Sequence, residues 1–478
     1  MIFCVAALDD FEIRAKTSNR IRGNRIDMKK RISLSTTQMI MISFLLAILA
    51  GSLLLVLPFA SADGKSVPYI DALFTATTSV CVTGLVTVST AHAWSFFGQL
   101  VILILIQIGG LGIITILSGF MISLNKKIGL GDRMLLQDAF NLSSLAGIVQ
   151  FLRKVLIGTF IVEGVGALLY MTVFVPEYGV KGIWMSIFNA ISAFCNAGMD
   201  VIGDDSLCGY VLHPMINFVT SMLIILGGIG YIVWWDVLRV VKNFKKQKFK
   251  CFANLTLHSK IALSATGILL FAGALLFFLF EYHNPETIGD FSMAGKLQAA
   301  MFQSVTTRTA GFATVPQQNL TDASAIVSLL LMFIGGSPVG TAGGVKTVTI
   351  AVLLISAFAV IRNNEDTVLF RRRISKQAVG KAVAVVSMSF MIAFVSTVLL
   401  AAVSGAPALD VMYETFSATA TVGLSRNLTG TLNVWGKLVI IVTMYLGRVG
   451  PISLVIAFNT KKKKQNIIKN PTEEISIG

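Results

Sequence analysis

Four short segments, spaced at almost equal intervals along the chain, share one pattern of residues. Each has a bulky residue, a stretch dominated by small residues, and then a glycine followed by a hydrophobic residue. The glycines are Gly84, Gly198, Gly311 and Gly423, and the intervals between them are 114, 113 and 112 residues. Regular spacing of this kind indicates an internal repeat. The chain is therefore predicted to fold as four copies of one structural unit.

An apolar helix precedes each of these segments, and a second apolar helix with a glycine interruption follows it. Hydrophobic residues make up 55% of the chain and charged residues 13%, whereas soluble domains have about a quarter charged residues. Each apolar run is long enough to cross a bilayer as a helix. The eight predicted spans are Thr37–Leu57, Leu100–Leu124, Val155–Val175, Ile216–Trp235, Leu263–Phe280, Leu329–Val360, Val383–Val403 and Leu438–Phe458.

The short segments between the paired helices hold only about ten helix-compatible residues, which is half of a membrane span. Each is therefore expected to enter the membrane and return to the same side. The predicted parts are a cytoplasmic N-terminal segment at 1–36, repeat 1 at 37–124, a linker at 125–149, repeat 2 at 150–242, a linker at 243–256, repeat 3 at 257–362, a linker at 363–376, repeat 4 at 377–460 and a cytoplasmic tail at 461–478. The three linkers are also expected to be cytoplasmic.

The positive charges lie almost entirely on one side of this predicted topology. Of 39 Lys and Arg residues, 31 precede the first span, follow the last one, or lie in the stretches 126–154, 239–260 and 362–381, in and around the three linkers. Lys and Arg are retained on the cytoplasmic side, so both termini are expected inside the cell. The net charge of +15 is thus a topology signal that favours contact with anionic lipids and not with nucleic acid.

The four glycine-bearing segments are predicted to form an ion-selectivity filter. Non-helical backbone survives at membrane depth only inside protein or beside water. Four such segments around one axis would turn carbonyl oxygens toward a shared ion path, where they replace the hydration shell of a cation. This predicts an all-α membrane protein of four helix–pore loop–helix repeats with pseudo-fourfold symmetry around one ion pore. The predicted filter residues are Val82, Thr83, Gly84, Asn196, Ala197, Gly198, Thr309, Ala310, Gly311, Thr421, Val422 and Gly423. The alternative is a set of tight turns between helices.

The position three residues before each filter glycine holds Cys81, Cys195, Arg308 and Ala420. The two cysteines are interpreted as small buried hydrophobic residues. For Arg308 two interpretations stay open: it bonds loop carbonyls and braces the loop, or it repels ions directly. The five cysteines show no paired spacing that would indicate a disulfide framework or a metal site.

The second helix of the third repeat contains five glycines and a proline within ten residues, a composition that a regular helix does not tolerate. We predict a flexible intramembrane loop under the filter that acts as a gate and withdraws at small energetic cost. A passive kink is the alternative. The predicted gate residues are Gly335, Gly336, Ser337, Pro338, Val339, Gly340, Thr341, Ala342, Gly343 and Gly344, together with Arg448.

Arg448 replaces one of four equivalent glycines, since Gly110, Gly228 and Gly336 occupy the same place in the other repeats. A cation at membrane depth is costly and usually functional. Below the filter it would raise the barrier to cation passage and pair with the loop; a structural contact with helix-end carbonyls is the alternative. Glu163 stands alone in a span and is expected to bond a neighbouring helix, with binding of a transported ion as the alternative.

These loops, the stretch GGSPVGTAGG and the segment LGRVGP resemble the Trk/Ktr/HKT superfamily of potassium transporters, and most of all the membrane subunit of the bacterial Ktr system. The resemblance runs from about Thr37 to Thr460. It implies that the four glycines line the filter, that 335–344 is the intramembrane loop and that Arg448 is the pore arginine. Serine replaces the first filter glycine in some sodium-favouring members, so Gly84 fits potassium.

The resemblance also implies partners that spacing does not reveal. It implies a homodimer in a bacterial plasma membrane, seated on a ring of cytoplasmic KtrA-like nucleotide-binding regulatory subunits, with uptake stimulated by sodium. The chain has no nucleotide-binding fingerprint of its own and no cofactor is expected, only K⁺ or Na⁺ as transported or stimulating ion. Basic linkers at 245–250 and 371–373 are predicted to contact the regulatory ring or lipid headgroups.

Two other classes of protein fit the sequence less well. A secondary transporter usually combines inverted repeats with a midplane binding site, whereas these repeats run in parallel topology and intramembrane acids are nearly absent. A membrane enzyme would need a cluster of His, Cys or carboxylate residues at membrane depth. The four histidines, His92, His213, His258 and His283, are dispersed and lie near predicted helix ends.

Overall fold

A computed structural model describes residues 35–124, 129–139, 147–242, 252–364 and 366–450. The predicted N-terminal segment up to residue 34, the tail from 461, most of the linker at 243–256 and parts of the linker at 125–149 lie outside the described residues. The end of the last predicted span, beyond residue 450, lies outside them too.

The described helices follow one another in four groups, each with a long helix, a short buried helix and a second apolar helix. The first group contains α1 (Thr36–Leu55), α2 (Tyr69–Cys81), α3 (Thr90–Ala93), α4 (Phe96–Leu111) and α5 (Ile113–Ser123). After α6 (Leu130–Ala139), the second group contains α7 (Ile148–Tyr178), α8 (Val180–Cys195), α9 (Pro214–Gly228) and α10 (Tyr231–Lys242). The third group contains α11 (Leu257–Glu281), α12 (Met293–Thr306), α13 (Asp322–Phe333) and α14 (Thr347–Ile361). The fourth contains α15 (Lys376–Ser404), α16 (Ala408–Ala420) and α17 (Val434–Val449).

Short elements connect these helices. A small antiparallel hairpin of β1 (Val368–Leu369) and β2 (Arg372–Arg373) joins α14 to α15, with Val368 opposite Arg373. Its two short strands stand among described elements that are otherwise helical. Single 3₁₀ turns lie at Pro58–Ala60, Cys208–Tyr210, Phe252–Asn254, Gln317–Asn319 and Thr429–Thr431.

The first helix of each group is long and apolar enough to cross a membrane. These helices are α1, α7, α11 and α15, and the bent pair α9 and α10 adds a fifth candidate if it is counted as one span. Hydroxyl side chains cap two of their starts: Thr256 accepts from the amide of Ser259, and Ser375 from that of Ala378. Such caps satisfy amides that a helix start leaves free. The chain is a multi-pass membrane protein.

In the first three groups, the second apolar helix is not the continuous span that its hydropathy suggests. It is broken at Gly112 between α4 and α5, at Ile229 and Gly230 between α9 and α10, and at 334–346 between α13 and α14. The α9 and α10 axes differ by 100°. These breaks coincide with the predicted glycine interruptions, since glycine at positive φ ends a helix readily. Both Gly112 and Gly230 have positive φ.

The groups pack against one another in a closed order. The second helix of each group contacts the short helix of the next group: α4 contacts α8, α9 contacts α12, α13 contacts α16, and α17 returns to contact α2. The short helices are therefore gathered at the centre. Their side chains are among the most deeply buried, including Phe74, Phe188, Phe302 and Tyr413. Large apolar side chains such as Leu168, Phe271 and Phe394 are exposed on the outer long helices, where a bilayer would cover them.

Candidate ion-conduction site

The central helices end in the same unusual backbone conformation. Two residues before each filter glycine, Val82, Asn196, Thr309 and Thr421 have φ values of 55°, 59°, 66° and 51°. A positive φ is a genuine outlier for a β-branched residue, and three of these four are β-branched. Strain of this kind persists only where the surroundings enforce it. The repeat seen in the sequence is thus also a repeat of backbone conformation.

Hydrogen bonds back to the central helices hold these loops. The amides of Thr83, Ala197 and Val422 donate to the carbonyls of Thr78, Ser192 and Ser417, each at 2.8 Å, and the amide of Ala310 donates to Thr306 at 3.0 Å. Hydroxyls add further bonds: the amide of Gly84 donates to Thr78 Oγ1 at 2.9 Å, and that of Gly423 donates to Ser417 Oγ at 3.0 Å. The loop amides are therefore directed into the protein.

The four filter glycines meet in a closed ring. A Cβ added to Gly84 would lie 2.5 Å from the carbonyl oxygen of Ala197, one added to Gly198 would lie 2.6 Å from that of Ala310, and one added to Gly311 would lie 2.5 Å from that of Val422. A Cβ on Gly423 would press against the carbonyl oxygen of Thr83 and close the circle. Each repeat thus places a carbonyl where the neighbouring glycine has no side chain, which is why glycine is required.

The ring carbonyls are available to a ligand. Among the hydrogen bonds of the described residues, none is accepted by the carbonyl oxygens of Thr83, Ala197, Ala310 or Val422. A buried carbonyl without a partner is costly, so its lone pairs need water or a cation. Rings of backbone carbonyls are the means by which filters replace the hydration shell of a monovalent cation. A closed ring of carbonyls is suited to bind such an ion. Tight turns that only connect helices would not need to form a ring.

An acidic vestibule lies against the ring. A cavity of about 500 Å³ is lined by all four filter glycines and by Asp200, Asp204 and Asp205. Asp204 is exposed and lies 3.0 Å from His92 Nδ1. Hydrogen bonds from Ser89 and His92 hold the pKa of Asp204 below its ordinary value, so this carboxylate stays charged at neutral pH. A cleft lined by negative charge raises the local concentration of cations.

The intramembrane loop occupies the break in the third group. Its central part contacts the bend of the second group: the amide of Ser337 donates to Gly228 O at 2.8 Å, that of Thr341 donates to Gly227 O at 3.1 Å, and Val339 O accepts from the amide of Tyr231 at 2.9 Å. These groups are free because α9 ends there. Hydrogen bonds therefore hold the loop against the ends of α9 and α10. The loop consists of Gly335, Gly336, Ser337, Pro338, Val339, Gly340, Thr341, Ala342, Gly343 and Gly344.

Withdrawal of the loop at small energetic cost stays a prediction, and the bonds that hold the loop contribute to that cost. The three bonds just described are joined by bonds from two arginines and by contacts with the filter loops. At about 0.5–1.5 kcal/mol net for each hydrogen bond, withdrawal would cost on the order of 5 kcal/mol. Glycine lets the backbones approach closely here, since a Cβ added to Gly340 would lie 2.8 Å from the carbonyl oxygen of Gly227.

Arg448 joins the loop to the first group. Its Nη1 donates to Thr341 O at 2.8 Å and its Nη2 donates to Gly109 O at 2.5 Å. It therefore pairs with the loop and also contacts a helix-end carbonyl, so that both interpretations of its role have a structural counterpart. Sequence reasoning missed a second cation beside it: Lys346 Nζ donates to Ala342 O at 2.5 Å. Lys346 is the single charged residue in the apolar run 329–360, which was a usable signal.

Arg308 braces a carbonyl, though not one in the filter. Its Nη2 donates to Gly335 O at 3.1 Å, at the start of the intramembrane loop. The side chain is buried. The contacts therefore favour the bracing interpretation, and the segment that Arg308 braces is the intramembrane loop.

Glu163 bonds a neighbouring helix, as the sequence predicted. Gln107 Nε2 donates to both carboxylate oxygens, at 3.1 and 3.2 Å. Cys195 Sγ lies 3.6 Å from Gln107 Oε1 and 3.9 Å from Glu163 Oε1. Gln107, which the sequence analysis did not single out, therefore connects this carboxyl to the residue that ends α8. Both Cys81 and Cys195 are buried and free.

Comparison with protein families gives an independent view of the chain. The family model described as "TrkH: Cation transport protein" matches residues 16–469. Among solved structures, the potassium transporter TrkH from Vibrio parahaemolyticus is similar, with a TM-score of 0.71 over 91% of this chain and 87% of that one. Its sequence identity of 18% makes this a likeness of fold.

Curated relatives are similar over nearly their whole length. The potassium/sodium uptake protein NtpJ of Enterococcus hirae is 40% identical over 94% of this chain and 99% of its own. The Ktr system potassium uptake protein B of Bacillus subtilis is 40% identical over 94% of this chain and 98% of its own. The corresponding protein of Vibrio alginolyticus is 35% identical over 92% of this chain and 94% of its own.

Proposed function

Because this chain belongs to the TrkH family of cation transport proteins, we propose that it takes up potassium ions across the plasma membrane through the ring of four filter glycines. The observation that carries the proposal is the closed order of that ring, in which carbonyls of Thr83, Ala197, Ala310 and Val422 alternate with glycines. The relatives named for potassium or potassium/sodium uptake support the choice of ion.

The mechanism begins in the vestibule. Its carboxylates concentrate cations from outside, and an ion then exchanges water for ring carbonyls. The central helices point their C-terminal ends toward the loops, and these ends carry partial negative charge. A membrane potential that is negative inside the cell favours cation entry by about 2.3 kcal/mol for each charge moved through 100 mV. A separate energy source is not needed.

The intramembrane loop and Arg448 control passage below the ring. A positive charge at membrane depth opposes a passing cation, and its bond to Thr341 O keeps the loop in place. Conduction in this account requires that the Arg448 bond break and that the loop residues 335–344 move aside. The bonds that hold the loop make the closed arrangement the resting one.

Regulation in this account comes from other molecules. The chain is proposed to work as a homodimer, with both termini in the cytoplasm, on a KtrA-like nucleotide-binding ring, and with anionic lipids around its basic inner surface. Sodium is proposed to stimulate uptake. The resemblance to the Ktr membrane subunit suggests this set of partners. The exposed arginines of the hairpin at 371–373 provide basic surface on the side expected to face them.

The test is potassium uptake in a bacterium that lacks its own potassium uptake systems, with and without a cognate regulatory subunit. Wild-type chain should restore growth on low potassium and show saturable K⁺ uptake. Gly84→Ser should admit relatively more Na⁺, since its side chain would displace the Ala197 carbonyl. If neither protein restores growth, even with the regulatory subunit and with membrane insertion verified, the proposal fails.

A further inference from the structure

The intramembrane loop touches the filter itself, and not only the space beneath it. Thr341 Oγ1 donates to the carbonyl of Phe194 at 3.0 Å. Phe194 is the penultimate residue of α8 and precedes the filter loop of the second group. Both Thr341 and Phe194 are fully buried. A side chain of the loop thus holds the end of one central helix.

A second contact reaches the third filter loop. The amide of Gly343 donates to Thr309 Oγ1 at 3.2 Å. Thr309 is the β-branched residue held at a φ of 66°, in a region of backbone space that such residues avoid. The loop therefore supports one of the strained positions that define the filter.

A third contact reaches the fourth filter loop. A Cβ on Gly343 would lie 2.5 Å from the carbonyl oxygen of Ala420 and would press against Thr421 Oγ1. Ala420 ends α16, and Thr421 is the next strained residue. Gly343 thus lies close against the base of this filter loop, and Arg448 ties the same segment to the first group through Gly109.

We propose that the intramembrane loop is a support of the selectivity filter, with Thr341 and Thr309 as positioning residues, so that displacing the loop lowers ion selectivity as well as opening the path. This inference rests on the proposed function. The physical reason is that strained backbone keeps its geometry only while its surroundings enforce it. Three of the four filter loops receive part of that enforcement from two residues of the loop, Thr341 and Gly343.

A loop that only blocked the ion path would lead to a different expectation for ion selectivity. A plug needs bulk in the path, and its removal changes the number of ions that pass but not their identity. The bonds from Thr341 and Gly343 instead end on a central helix and on a filter side chain. Changing them should therefore alter the ratio of ions that pass.

The experiment measures K⁺ and Na⁺ uptake into liposomes that contain the purified full chain, with the rate of each ion recorded separately. Thr341→Val removes the hydroxyl and keeps the shape, and Thr341→Ser restores it. Thr309→Val removes the acceptor for Gly343. Thr443→Val is the matched control, because it removes a buried bond to Ser396 at 2.8 Å that does not involve the loop.

For Thr341→Val and Thr309→Val we expect the ratio of K⁺ to Na⁺ uptake to fall at least threefold, while Thr341→Ser and Thr443→Val keep the wild-type ratio. Protection of the detergent-solubilised protein against heat by KCl relative to NaCl should fall in parallel, a measurement that needs no transport. A changed rate with an unchanged ratio and unchanged protection overturns the inference and leaves the proposed function intact. Absence of K⁺ uptake by the wild-type chain, in liposomes that also carry a cognate regulatory subunit, overturns the proposed function instead.

Discussion

Arg448 donates a hydrogen bond at 2.8 Å to the carbonyl of Thr341, a residue 107 positions earlier in the chain. The same guanidinium bonds Gly109 of the first group at 2.5 Å. One side chain of the fourth group therefore connects the intramembrane loop of the third group with the broken helix of the first. Since Arg448 stands where the other groups have glycine, this connection breaks the equivalence of the four groups below the filter.

Arg448→Ala should increase the maximal rate of K⁺ uptake. A hydrogen bond from a charged group contributes about 1.5–3 kcal/mol, and a barrier lowered by 1.4 kcal/mol raises a rate about tenfold. Arg448→Gln keeps a donor but no charge and should lie between the alanine variant and wild type. The measurement is initial K⁺ uptake into liposomes, with the exposed Lys65→Ala as control. Unchanged kinetics in both Arg448 variants would refute the role given to this residue.

Gly198→Ala should abolish most K⁺ uptake. Its Cβ would lie 2.6 Å from both the carbonyl oxygen of Ala310 and the Cα of Gly311, at a φ of 64°, so the ring has to open to admit it. We expect uptake to fall at least tenfold. Gly64→Ala is the matched control, because Gly64 has a similar φ of 68° with nothing within 4 Å of an added Cβ. Equal effects of the two substitutions would mean that strain alone, and not the ring, explains the loss.

The ion pair between Lys437 and Asp71 should stabilise the closed order of the groups. Lys437 Nζ lies 2.5 Å from Asp71 Oδ1, and the two side chains are 15% and 10% exposed. Removing one partner of a buried pair costs about 3–5 kcal/mol. We therefore expect Lys437→Met to lower the midpoint of thermal unfolding in detergent by several degrees.

The double variant with Asp71→Asn supplies the control for that prediction. It should be less destabilised than the sum of the single variants, because no unpaired charge is left buried. Asp366→Asn removes an exposed pair with Arg373 and should change the midpoint by little. A simple sum for the double variant would show that the two residues do not interact in the folded protein.

Neutralising the vestibule should weaken the apparent affinity for K⁺. Because the pKa of Asp204 is held below its ordinary value by Ser89 and His92, its charge is present at neutral pH and is lost only as the pH falls through that lowered value. Asp204→Asn combined with Asp205→Asn should raise the KM for K⁺ about twofold at low ionic strength, and the difference should shrink at high salt. An equal KM at both salt concentrations would argue against electrostatic attraction.

The sequence predicts the arrangement of the groups because the repeat is written in single residues. The spacing of Gly84, Gly198, Gly311 and Gly423 indicated four equivalent loops, and the structure brings these glycines together. The glycine interruptions likewise marked where the second helices of the first three groups break. Both features require a positive φ or a close backbone approach that glycine meets most readily. The identity of a single residue is therefore enough to predict them.

Contacts between distant parts of the chain could not be predicted in the same way. The bond from Thr341 to Phe194 joins residues 147 positions apart, and nothing local distinguishes this threonine from others. The ion pair of Asp71 with Lys437 spans 366 positions. The 100° bend between α9 and α10 is occupied by a loop that belongs to another group. The contacts of the glycine-rich loop could not be predicted for the same reason, because its partners lie elsewhere in the sequence.

Direct location of a bound cation tests the central claim most sharply. Crystals or vitrified particles of the full chain, prepared in a thallium or rubidium salt, would be examined for heavy-ion density by anomalous scattering or by comparison with a lithium preparation. Density on the axis of the ring, in contact with the carbonyl oxygens of Thr83, Ala197, Ala310 and Val422, is the result we predict. Heavy-ion density elsewhere in the membrane region, with none at the ring, would contradict the account.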